Sequence, residues 1–151
     1  MVFGAGLCLG ETWRTPPLIL TTVDGNWSIH RRWDGDKITR STRHQEGVTG
    51  GGTETVEVGP YERGVWTDWV FQVKWAYDDQ GQLKVWQNGQ LVADRQGPNT
   101  FRDFIMPYFK IGIYKPQWTS NPARSHLDER TLYIDAIRIG NGQATYEDVA
   151  P

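Results

Sequence analysis

An Asn-Gly pair set between two alternating runs is the feature that most limits what this chain can become. Leu83-Lys84-Val85-Trp86-Gln87 is followed by Asn88-Gly89 and then by Gln90-Leu91-Val92-Ala93-Asp94. Alternation with period two fits a strand, and Asn-Gly is a favoured centre for a type I′ turn, where both residues take positive φ. The spacing therefore predicts an antiparallel hairpin over residues 83–94. The same grammar recurs upstream: residues 18–23 run into Asp24-Gly25, and residues 26–32 return. Residues 68–75 alternate again, with Trp69, Phe71, Val73 and Trp75 on one face, and residues 53–58 read as a short edge strand. No stretch shows a sustained 3.6-residue stripe. The expectation is an all-β fold, an antiparallel β-sandwich.

Other segments are predicted as loops or turns. Gly50-Gly51-Gly52 lacks the Lys-Ser/Thr that a phosphate loop carries, and reads as a turn. Residues 100–104 have the look of one helical turn. At 151 residues the chain is read as a single domain over 1–151, large enough for a core. Net charge is only -2, so bulk charge gives no reason to expect nucleic acid. No run approaches the roughly 18 apolar residues of a membrane-spanning helix. Cys8 is the sole cysteine, which excludes an internal disulfide and leaves the compartment open. Residues 1–9 are apolar but lack the basic start and the length of a secretory signal.

The chemistry concentrates in Tyr108-Phe109-Lys110-Ile111-Gly112-Ile113-Tyr114-Lys115. Read as one strand over 108–115, it places Phe109, Ile111 and Ile113 on an apolar face. Tyr108, Lys110, Gly112 and Tyr114 take the other face, with Gly112 leaving room for a flat ligand. An ordinary half-buried strand would look much the same, since Tyr is a good strand former. Residues 131–139 read as a last long strand, with Leu132, Ile134 and Ala136 opposed to Tyr133, Asp135 and Ile137.

Eight Trp, six Tyr and five Phe suit a sandwich core, and aromatic faces also suit sugars. The three histidines stand far apart in sequence, so no zinc site is expected. Calcium held by loop carboxylates stays open but has no motif. No nucleophile elbow and no facing carboxylate pair is visible. His30 lies on a predicted strand and reads first as a surface residue. A Tyr and a Lys sharing a strand face fit another reaction, β-elimination on a uronic-acid glycan. The proton beside the sugar carboxylate becomes removable only when a cation or amide neutralises that carboxylate, and a phenol or imidazole then moves the proton.

Three runs in order resemble polysaccharide lyases of the heparin-lyase-I and glucuronan-lyase type. They are Gly64-Val65-Trp66-Thr67-Asp68-Trp69-Val70-Phe71-Gln72-Val73-Lys74-Trp75, then Gly81-Gln82-Leu83-Lys84-Val85-Trp86-Gln87-Asn88-Gly89, then Tyr108-Phe109-Lys110-Ile111-Gly112-Ile113-Tyr114. Tyr133-Ile134-Asp135 also fits, and the match spans roughly residues 11–140. The Trp-x-Asn-Gly hairpin is shared by many concanavalin-like sandwiches; the Lys-x-Gly-x-Tyr strand is the sharper part.

The resemblance implies a concanavalin-like jelly roll with a groove on its concave sheet, and β-elimination on acidic polysaccharide without a cofactor. It implies Tyr114 as catalytic acid/base and Lys110 as ligand of the substrate charge. Tyr108 and Trp118, an aromatic in the loop after the strand, are expected to add substrate contacts. It also implies an extracellular or periplasmic location. Such lyases carry a Gln-x-His strand upstream of the segment resembling residues 11–18, and here Val2 to Leu9 hold that place. The expectations are a sandwich incomplete at its N-terminus, self-association through an exposed sheet edge, and activity in question. A non-catalytic carbohydrate-binding module and a structural sandwich domain remain the alternatives.

Overall fold

The structure is a computed structural model that describes residues 1–4, 14–38, 51–115, 118 and 129–151. Two antiparallel sheets make the fold. The larger is built from β1 (Val2–Gly4), β2 (Leu18–Val23), β3 (Asn26–Asp34), β4 (Gly51–Pro60) and β8 (Tyr108–Lys110), in the order β4-β3-β2-β1-β8. The smaller has β5 (Trp69–Lys74), β6 (Gln82–Gln87) and β7 (Gln90–Gln96), in sequence order. This is the expected all-β sandwich. Among the described residues, helix is confined to Trp118 and one short turn, α1 (Tyr146–Val149).

Both two-residue turns form as predicted. Asp24 and Gly25 have φ of 47° and 84°, and Asn88 and Gly89 have 47° and 78°, the left-handed pair a type I′ turn needs. They set the registers Val23 opposite Asn26 and Gln87 opposite Gln90. Alternation then decides which side chains meet between the sheets. Leu18, Leu20 and Ile29 from the larger sheet pack with Leu83, Val85 and Ala93 from the smaller. Trp27, Val56, Trp69, Phe71 and Val73 surround them. Trp27 and Trp69 meet edge to face across the sandwich, with ring centres 5.2 Å apart.

A charged cluster closes one end of that interface. Glu54 on β4 lies 2.6 Å from Arg31 on β3 and 2.6 Å from Arg95 on β7. Arg31 also donates to the Gln96 carbonyl at 3.1 Å. One carboxylate thereby ties the two sheets together. Asn99, fully buried, instead joins β5 to β6 within the smaller sheet by hydrogen bonding. Its side-chain oxygen accepts from Ala76 N–H and its amide donates to the Lys74 and Gln82 carbonyls.

Several expectations are corrected. The strand expected over 108–115 ends at Lys110, because Gly112 takes φ +146° and turns the chain out of the pleat. Phe109 and Ile113 are 37% and 41% exposed rather than buried, and Ile111 is exposed as well. Residues 131–139 form no strand; they run outside both sheets, with Ile139 82% exposed. Local alternation sets which face of a strand is apolar, but not whether a partner is within reach. Residues 100–104 form no helical turn; Phe101 is buried and bridges Asp34 in parallel.

Gly51 and Gly52 open β4 rather than forming a turn, and a Cβ on Gly52 would overlap the Trp33 ring. Gly50 and residues 5–13, which include most of the segment standing in for the Gln-x-His strand, lie outside the described residues. Val2–Gly4 pairs on both sides, with β2 and with β8, so the N-terminal segment fills an inner position of the larger sheet.

Candidate functional site

The outward face of the larger sheet can be read from its register alone. Residues directly opposite one another in an antiparallel pair point to the same side. Thr55 faces His30, His30 faces Ile19, Ile19 faces Val2, and Val2 faces Lys110. Lys110 and His30 therefore stand on one row across the sheet. Three strand spacings of about 4.8 Å separate them by about 14 Å. Leu18 and Ile29 point the other way, into the core, so this row lies on the outer side. Two residues along each strand, the same face carries Tyr108 on β8, Thr21 on β2, Ser28 and Arg32 on β3, and Thr53 and Glu57 on β4.

Lys110 stands at the edge of this face. Its ammonium lies 4.8 Å from the centre of the Tyr108 ring, a cation–π contact between i and i+2 neighbours on one side of the strand. No carboxylate pairs with Lys110 among the described residues. Tyr114 is 70% exposed and lies beyond the Gly112 turn, so the pleat of β8 does not align it with Lys110. The expected Lys110–Tyr114 alignment is thus replaced by a Lys110–Tyr108 pair, with Tyr114 on the segment that follows. A Cβ on Gly112 would meet open space, so the glycine serves the backbone turn as well as leaving the surface clear. Trp118 is partly exposed and carries the Lys115 ammonium over its ring at 5.3 Å.

His30 is the residue whose setting sequence pattern undervalued. Its Nδ1 is 2.9 Å from the Thr55 hydroxyl. Partial burial and the nearby Arg32 cation push its pKa down, while Glu57 opposes them. The imidazole is therefore neutral near pH 7, able to accept a proton or a hydrogen bond. The signal that would have found it is the pairing register, which is non-local. Glu57 accepts a 2.8 Å hydrogen bond from Ser28 and is the acid within this group. Arg32 is half-buried and donates to the Pro16 carbonyl at 3.1 Å.

In chemical terms this is a sheet face with two cations, one carboxylate, a phenol, a neutral imidazole and hydroxyls, bordered by exposed aromatics. It can hold an extended polar ligand carrying negative charge. No group of three or more metal-ligating side chains occurs among the described residues. His126 lies outside them.

No curated protein and no solved structure matches the chain. The family model described as polysaccharide lyase matches residues 4–138. That match covers both hairpins, the outward face from β2 to β8 and the segment after it, and by it this chain belongs to the polysaccharide lyase family.

Proposed function

We propose that this chain binds a uronic-acid-containing polysaccharide on the outer face of its larger sheet and cleaves it by β-elimination, in the manner of heparin-lyase-I-like and glucuronan-lyase-like enzymes. The observation that carries the reading is Lys110, an ammonium with no carboxylate partner among the described residues, set beside a phenol on that face. Lys110 would hold the sugar carboxylate and lower the cost of removing the adjacent proton. Tyr114 would take that proton and return it to the leaving oxygen, as the resemblance to the family implies. His30, about 14 Å along the row, is too far for the same carboxylate and belongs to a neighbouring sugar. By the same resemblance, the protein would meet polymer in an extracellular or periplasmic location.

Elimination forms an unsaturated uronate that absorbs in the ultraviolet. Glucuronan, alginate and heparin incubated with the protein should give a rising absorbance with one of them. Tyr114→Phe should abolish the rise with little loss of binding, because it removes the proton carrier and keeps the ring. Tyr108→Phe should retain turnover. If Tyr108→Phe is the dead variant and Tyr114→Phe is active, the roles belong the other way round.

A second reading has its own observation. The strand paired with Lys110 is Val2–Gly4, whose residues carry neither an amide side chain nor an imidazole, whereas by the resemblance such lyases carry Gln-x-His upstream of residues 11–18. On that reading the chain binds acidic glycan and does not cut it. Binding without any absorbance change, in wild type and in Tyr114→Phe alike, would establish it.

A further inference from the structure

Arg32 differs from the other arginines packed into the sandwich. Arg31 and Arg95 share Glu54, and Arg14 meets Asp103 at 2.8 Å. Arg32 has no carboxylate among the described residues; its one hydrogen bond is to the Pro16 carbonyl. Burial costs its charge, and no acid among the described residues offsets that cost. A guanidinium has five N–H donors in a rigid fork, and here most lack an acceptor among the described residues. The register puts it on the outer face, directly opposite exposed Thr53 and two residues from His30.

We infer that Arg32, with Thr53 and His30 beside it, forms a second anion subsite that takes a carboxylate or sulfate of the polysaccharide several sugar units away from the one held by Lys110. The inference rests on the acidic-polymer reading above and extends it. Arg32 lies three strands from Lys110, about 14 Å across the sheet, and about 7 Å further along β3. One pyranose cannot bridge that separation. The polymer therefore crosses the strands rather than following one of them, and the face selects chains with acidic groups on more than one unit. Thr53 and Thr55, on β4, supply hydroxyls on the side of Arg32 away from Lys110, and the neutral imidazole of His30 adds a hydrogen bond without a competing charge.

The test is calorimetric binding at low salt with oligoglucuronates of increasing length, a parallel sulfated series, and neutral glucan oligomers. Wild type should bind short acidic oligomers weakly and gain about tenfold once the oligomer reaches both cations. Arg32→Gln should lose that gain and keep the short-oligomer affinity. Thr53→Glu, at an exposed position, supplies Arg32 with the missing carboxylate and should remove the gain without touching the buried stem. Arg32→Lys should restore part of it. A length gain that survives both Arg32→Gln and Thr53→Glu overturns the subsite and leaves the lyase-like reading standing. So does wild-type binding that shows no gain with length. Failure of wild type to bind any acidic oligomer, or equal binding of neutral glucan, overturns both.

Discussion

Gly112 carries more of the candidate site than its missing side chain suggests. Its φ of +146° is open to glycine and strained for any other residue. Gly112→Ala meets no steric obstacle, so its cost is conformational, about 1–3 kcal/mol if the turn is kept. The chain can avoid that cost by straightening, which would move Tyr114. We expect Gly112→Ala to reduce turnover far more than it lowers the denaturation midpoint, and paired kinetic and urea measurements check this. At His30 the depressed pKa fixes a sign. Above the unfolded value of about 6.5 the imidazole is neutral in both states and contributes nothing to pH dependence. As pH falls below it, the unfolded chain takes up the proton first, so stability falls until the folded imidazole protonates too. His30→Gln should flatten that part of the stability–pH curve.

Among the elements, the β6–β7 hairpin was legible in sequence, apart from its register shift at Val85–Trp86 and the extension to Gln96, because what defines its turn is local: alternation on each side and Asn88-Gly89 between. Gly89→Ala should cost about 1 kcal/mol or more, read as a lower urea midpoint with unchanged slope, since φ is 78° there. β8 was half legible. Tyr108 and Lys110 do share the outward face, and Phe109 does pair on the Leu18 side through Phe3. Its length was misread, because Gly112 can sit in a strand or end one, and the residues alone do not say which. Residues 131–139 show the same limit more strongly. Leu132, Ile134, Ile137 and Ile139 look like strand residues, yet pairing depends on a neighbour that no local pattern names. The charged members of the candidate face were visible as residues; that Arg32, His30 and Lys110 share one side was not, because only long-range register aligns them.

For the molecule as a whole, two features set behaviour in solution. Glu54 joins the sheets through Arg31 and Arg95. Desolvation alone would raise its pKa, but hydrogen bonds and charge from Arg95 and Arg31 hold it below the ordinary carboxylate value. Its contribution is therefore present above the unfolded pKa and lost as pH falls through the folded one. Glu54→Gln should destabilise by about 1–3 kcal/mol, less than a fully buried pair because Arg95 is partly exposed. The second feature is apolar surface. Phe104, Ile105, Met106, Ile111, Ile137 and Ile139 are all exposed, and the described residues leave a sheet edge at β8 unpaired. Self-association is expected. Light scattering should show a mass that rises with concentration, and Ile137→Lys should lower it.

The place of β8 in the sheet also bears on how the protein reaches its native state. Both type I′ hairpins join neighbouring segments and can close within microseconds. β8 has no such neighbour: among the described residues it is held by β1, and Val2 must find Lys110 across 108 positions of sequence. Pairings of that separation form late, after the cost of closing a long loop has been met. The scaffold can thus assemble while Lys110 is still adrift from Arg32 and His30. Glycan binding should then return on a slower phase than the tryptophan signal of the core during refolding, so that a chain already compact has yet to acquire its grip on the polymer.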